Sequence, residues 1–202
     1  MKIKECIASG ILAAGCVAFT GCSTKAKYVD STGPRTLVTV DAINIQDYAA
    51  AADTMIDSLI TSVINGGRLK SANGEPAILG ISRIINNTSQ HVDTDLLTKK
   101  IRVALNKTGR VVTTTTYGLG GQGEDPLAQQ ILKDREKVEN KPLTRLPDYS
   151  LSGKLIEQRV RSGNTQQASY VFQLTLTSQD GLAVWEEEKT ITKQARRSAL
   201  GF

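Results

Sequence analysis

Tyr170-Val171-Phe172-Gln173-Leu174-Thr175-Leu176-Thr177 decides the fold, because its largest apolar side chains recur at every second position. A period of two sends one set of side chains to a core and the other toward water, the pattern of a half-buried strand. Asp180-Gly181 follows as a hairpin signal, and residues 182–192 read as the returning strand with Trp185 on one face. Upstream, Tyr149, Leu151 and Leu155 alternate with Ser150, Ser152 and Lys154. Residues 161–167, containing Ser162-Gly163-Asn164, read as the turn between those two strands. The C-terminal third is therefore predicted to be a three-stranded antiparallel meander.

Toward the N-terminus the period changes. Ile45, Tyr48, Ala52, Ile56, Leu59 and Val63 recur at spacings of three and four, so residues 44–64 are predicted to form an amphipathic helix stopped by Asn65-Gly66-Gly67. Residues 77–85 are apolar and β-branched and read as a buried strand closed by Asn86-Asn87-Thr88. Asp93 suits the cap of a second helix running to Lys107, with Asp95 in its first turn, Lys99 and Lys100 further along, and Gly109 beyond its end. Residues 110–116 read as another strand, and Pro126 as the first turn of a helix to Asn140. The order of elements predicts an α/β domain: a mixed sheet with helices packed on it, ending in the meander.

The first 21 residues read as an export leader. Lys2 and Lys4 precede a charge-free stretch of 14 residues, 6–19, too short to span a bilayer as a helix but suited to a secretory signal. Phe19-Thr20-Gly21-Cys22-Ser23 resembles the bacterial lipobox, in which the Cys is acylated and becomes the first mature residue. Cleavage at Ala14-Gly15-Cys16, which would leave a short signal and an apolar mature terminus, and an ordinary uncleaved or non-lipid signal are the alternatives. Ser23, rather than Asp, after Cys22 resembles the signal for transfer to the outer membrane, which predicts a domain facing the periplasm. Residues 22–40 are then the lipidated terminus and a flexible tether, and 41–202 the periplasmic domain. The 18 residues 23–40 would span roughly 25 Å as a flexible chain and roughly 60 Å fully extended.

Composition narrows the chemistry. With 202 residues, 40% hydrophobic and 22% charged, the chain has the makings of one globular domain. One His and three Cys, all three at or before position 22, leave little for imidazole or thiolate catalysis or for a metal cluster. Gly118-Leu119-Gly120-Gly121-Gln122-Gly123 matches the dinucleotide-loop spelling. Glu124-Asp125 before the helix would set two carboxylates where a pyrophosphate must approach, so a glycine loop without nucleotide is expected. His91 reads as a solvated loop residue. Glu186-Glu187-Glu188 lie on a strand that throws alternate carboxylates to opposite faces, which reads as a charged edge rather than a glycosidase pair. No enzyme, cofactor, metal or nucleic-acid site is expected.

The segments Ala77-Ile78-Leu79-Gly80, Asn86-Asn87-Thr88-Ser89, His91 to Arg102, Asp148 to Leu155, the strand from Tyr170 and Val184-Trp185-Glu186 resemble the LpoB family. Its members are outer-membrane lipoproteins that activate class A penicillin-binding proteins. The resemblance covers roughly residues 40–194 and implies an α/β sandwich related to the N-terminal domain of TolB-like and CsgG-like proteins. It implies a regulator that binds a bifunctional peptidoglycan synthase. The best-known members carry a long Pro-rich tether, where this chain has only Ser23 to about Val40. A CsgG-like assembly or structural lipoprotein, or an enzyme acting on peptidoglycan, are the rival readings. For the partner surface, Arg159, Arg161, Gln166 and Gln167 crowd a predicted turn beside Gln158 and Tyr170, and Arg and Tyr are common anchors of interfaces. The glycine loop 118–123 is the second candidate.

Overall fold

The structure is a computed structural model and describes residues 26–31, 33–69, 71, 74–115, 126–137 and 146–196. The predicted leader, Cys22 and the predicted glycine loop lie outside the described residues. In chain order the elements are α1 (Ile45–Leu59), continued by a π-helical turn (Ile60–Ile64), then β1 (Ala77–Ile81), β2 (Ile85–Asn87), α2 (Asp95–Lys107), β3 (Val111–Thr113), α3 (Pro126–Lys137), β4 (Tyr149–Ser162), β5 (Thr165–Ser178) and β6 (Ala183–Arg196). One mixed sheet has the order β3-β1-β4-β5-β6, with β2 pairing β4 further along. β3, β1 and β4 run parallel, while β4, β5 and β6 form the antiparallel meander.

α1 begins where its capping box closes. The Asn44 side chain accepts from the Asp47 amide (3.1 Å), and the Asp47 carboxylate accepts from the Asn44 amide (2.8 Å), so two donors that a helix start would orphan are satisfied. The apolar stripe then buries Tyr48, Ala51, Ala52, Met55, Ile56 and Leu59, and Val63 in the π-helical turn. Gly67, at φ +64°, stops the helix in the left-handed conformation that glycine adopts at no steric cost. Across from the stripe, Leu155, Tyr170, Phe172, Leu174 and Leu176 complete the core, with Tyr48 meeting Phe172 edge to face at 5.9 Å. The sheet is covered on this face. On the opposite face of the meander Ser152, Lys154, Glu186, Glu188 and Thr190 are exposed.

Several boundaries differ from those read in the sequence. The predicted turn 161–167 shrinks to Gly163-Asn164, because Ser162 pairs with Thr165 and Gly163 takes φ +55°, as a two-residue primed turn requires. Arg161, Gln166 and Gln167 therefore lie in strands. β6 runs on to Arg196, whereas β3 is three residues long; the predicted end of α3 at Asn140 lies outside the described residues. α2 has Thr94 at its N-cap. The Thr94 hydroxyl turns to the Ile84 carbonyl (3.0 Å), and Asp93 accepts from the Asp95 amide (2.9 Å).

The predicted strand 77–85 is broken in two, and the pairing shows why. Ile81 pairs with Leu151 and Ile85 with Lys154, so four steps along one chain face three along β4. The extra residue is a bulge. It turns Ile84 into the core, over Gly153, where a Cβ would lie 3.3 Å from Ile84 Cγ1, 2.7 Å from Leu174 Cδ2 and 2.9 Å from the Gln173 carbonyl. The glycine makes room for the bulge. Gly153→Ala is expected to destabilise the leaderless chain by about 1–3 kcal/mol in urea unfolding, the cost of overpacking against a backbone that cannot move aside. Gly163→Ala, where nothing lies within 4 Å of the added methyl, should cost only the backbone strain of about 1–2 kcal/mol. A neutral Gly153→Ala would show that the bulge yields freely.

Candidate functional site

The Arg and Gln residues singled out in the sequence sit at the hairpin end of β4 and β5, where the strands extend past α1. Register decides which of them share a face. Arg159 pairs with Ala168 and Arg161 with Gln166, so these polar side chains lie on the face that carries the core. Gln158 and Gln167 belong to the other face, paired with Ser169 and Val160. The structure thus brings together Arg159, Arg161 and Gln166 and separates them from Gln167.

Tyr170 requires a correction. It is not an exposed anchor beside a turn but 0% exposed, since its even-numbered position places it in the row with Phe172 and Leu174. Its hydroxyl donates to the Val40 carbonyl (3.1 Å) and accepts from the Gln90 side-chain amide (2.9 Å). Burial is the main reason that its pKa lies above the ordinary phenol value.

Those bonds belong to a strap. Arg159 donates to the Asp41 carboxylate (2.9 Å) and to the Asp41 carbonyl (3.1 Å), and Gln166 donates to the same carboxylate (2.7 Å). Lys193 donates to the Ala42 carbonyl (2.7 Å), and the Ile43 amide donates to Gln90 Oε1 (3.1 Å). Carbonyls of three successive residues and the next two amides thus find partners in the domain, the last through Asp47. Earlier residues are also held: Gln46 donates to the Gly33 carbonyl (2.7 Å) and Asn44 to the Leu37 carbonyl (3.2 Å). The described part of the segment assigned to the tether therefore rests on α1 from Gly33 onward. Sequence reasoning missed Asp41, Gln90, Glu157 and Lys193, because Asp41 and Arg159 are 118 residues apart and no local pattern links them.

Glu157 anchors the other side of Arg159. Its side chain is 5% exposed and ion-paired with the Arg159 Nε. It also accepts from the Ser89 amide (2.8 Å) and hydroxyl (2.7 Å). Burial pushes its carboxyl up, but the Ser89 donors and the Arg159 guanidinium outweigh that and hold it at about 2. Arg161 is the freer cation: it is exposed, and its Nε reaches the Gly163 carbonyl at 3.3 Å. His91 is exposed in the loop before α2. Glu186 and Glu188 take side-chain donors from Thr175 and Gln173, while Glu187, on the other face, accepts from Ser58.

The domain is a mixed sheet covered by helices on one face, with Arg and Gln side chains at its meander end. Residues 47–191 match the family model described as Peptidoglycan-synthase activator LpoB, and the chain belongs to that family. Among solved structures it is similar to the LpoB C-terminal domain from Escherichia coli (14% identity, 72% of this chain and 98% of that one, TM-score 0.44). It is similar also to that domain from Salmonella enterica (16% identity, 72% and 98%, TM-score 0.41) and to an NMR structure of Escherichia coli LpoB (15% identity, 96% and 94%, TM-score 0.39). A comparison with curated protein sequences gives no match.

The Glu157 cluster sets a pH dependence. A carboxyl whose pKa is lowered on folding stabilises the fold above its unfolded value of about 4.3, and that contribution disappears as pH falls through about 2. Glu157→Gln should therefore be less stable than the parent above pH 5. The gap in denaturant midpoint should close progressively between about pH 4.5 and pH 2. A gap that does not change over this range would mean that Glu157 is not held ionised by Ser89 and Arg159.

Proposed function

We propose that this protein is an outer-membrane lipoprotein, anchored through Cys22 and facing the periplasm, that binds a class A penicillin-binding protein and stimulates its peptidoglycan synthesis. The observation that carries this reading is the family match over residues 47–191, a family described as activating peptidoglycan synthases. The leader ending at Gly21-Cys22-Ser23 supports the anchor. Among the described residues no helix is long and apolar enough to cross a membrane. The reading needs no metal, nucleotide or nucleic acid; the protein acts by binding.

For the contact surface we retain Arg161 as the exposed directional group at the meander end, with Arg159 and the half-buried Gln166, both bonded to Asp41, beside it and Gln167 on the reverse face. Arg is suited to carboxylates on a partner, since its planar fork donates two parallel hydrogen bonds. Arg159 is 35% exposed and already committed to Asp41 and Glu157. Its substitution therefore disturbs the strap as well as any interface, which makes Arg161 the cleaner test.

Mass spectrometry of the mature protein should find an acylated Cys22 at the N-terminus, and Cys22→Ala should release the chain from membranes. An unmodified terminus within the following residues would exclude the anchor. The released chain, immobilised and exposed to solubilised membranes, should retain a class A penicillin-binding protein detectable with fluorescent penicillin. Arg161→Glu should weaken that capture at least roughly tenfold while changing stability by no more than about 0.5 kcal/mol, as befits a surface substitution. Wild-type capture by a folded Arg161→Glu protein would move the interface elsewhere, and the glycine loop 118–123 is then tested next.

A further inference from the structure

An open groove of about 510 Å³ runs between α1 and α2 on the side away from the sheet. Its walls include Ile45 on α1 and Leu96 and Val103 on α2, which are 46%, 47% and 43% exposed, with the small side chains of Ala49 and Ala104 between them. Leu96 and Val103 are two helical turns apart and so form one stripe. Lys99, Lys100 and Lys107 flank that stripe, with Lys100 also paired to Asp53 at 2.9 Å. Apolar residues bordered by lysines along one helix form the pattern of a helix that lies on an anionic lipid surface.

The course of the chain points to the same occupant. Ser31 lines the groove, and the Gly33 and Leu37 carbonyls are bonded to Gln46 and to the N-cap Asn44 at the start of α1. Ser31 is only nine positions along the chain from Cys22, about 30 Å at full extension and roughly 17 Å as a flexible chain. On the way, the Tyr28 and Val29 side chains are exposed. A chain anchored at Cys22 would thus enter the domain beside the groove, whereas the strap at Val40 and Asp41 prevents the domain from swinging away on the full length of residues 22–40. So short a tether corresponds to an effective concentration of about millimolar, at which a weak contact is populated.

Resting on the Cys22 anchor, we propose that the α1–α2 groove docks on the anionic phospholipid surface of the membrane to which the chain is tethered. Ile45, Leu96 and Val103 enter the interface and the lysines meet the phosphates. The exposed face of the meander, with Glu186, Glu188 and Thr190, then points away from the lipid.

The lipidated full chain, reconstituted in vesicles of phosphatidylethanolamine and phosphatidylglycerol, provides the test. With Cys22 acylated, the mature sequence holds no other Cys, so one fluorophore can be placed at Val103→Cys or at Thr190→Cys. A nitroxide on the lipid should quench the fluorophore at position 103 roughly threefold more than that at 190. Leu96→Glu, or phosphatidylcholine in place of the anionic lipid, should bring the two to the same level. Equal quenching in anionic vesicles, or stronger quenching at position 190, overturns the proposal and leaves the groove to a protein partner. A chain that does not float with vesicles fails the anchor reading instead. The same comparison is then made with the chain held by an N-terminal His tag on a nickel-chelating lipid, so the two failures are distinguishable.

Discussion

The buried contact between Lys193 and Asp47 is the point on which the rest of the domain depends. Both side chains are less than a tenth exposed, and each serves a second purpose. Asp47 completes the capping box of α1, while Lys193 donates to the Ala42 carbonyl and lies 5.7 Å from the centre of the Tyr170 ring. An ammonium and a carboxylate taken from water lose solvation that only close geometry and further hydrogen bonds can offset, and here every partner is within the domain. The pair ties the edge strand to the start of the helix that covers the sheet. Loss of either member would leave a buried charge alone, which typically costs about 3–5 kcal/mol, a large share of a small domain's stability.

Because that pair fixes the start of α1, it also fixes where the chain enters the domain. The strap from Val40 to Asn44 crosses the meander end through Tyr170, Arg159, Lys193 and Gln90, and the residues before it lie on α1. Several of the groups that look like free interface residues in the sequence are therefore structural. Arg159 serves Asp41 and Glu157, and Tyr170 serves Val40. What remains outside the strap at this end is a smaller surface around Arg161, next to an entry segment held in one orientation. A surface held in place by such a strap loses less conformational freedom on association.

The sheet is covered on one face by α1 and α2, and its other face along the meander is polar. The alternation in β5 is consistent with this: Ala168, Tyr170, Phe172, Leu174 and Leu176 are buried, and the residues between them are only partly so. β6 is an edge strand of 14 residues with Glu186, Glu187, Glu188 and Lys189 in its first half, charges that discourage pairing with another sheet.

Local sequence determined the elements and their amphipathic faces: the meander from its period of two, α1 from its period near 3.6, the helix stop at Gly67 and the Gly181 turn, each set by forces acting within a few residues. The family likeness was also legible, in short words kept in order. What sequence could not reveal was anything that depends on residues distant along the chain. The parallel pairing of β1 with β3 and β4, and the bulge that splits the strand 77–85, follow from how β4 lies against both pieces. The burial of Tyr170 and the capture of Arg159 by Asp41 follow from where residues more than 100 positions earlier happen to pass. Periodicity states which side of a strand faces a core; only the assembled tertiary structure decides which other segment is waiting there.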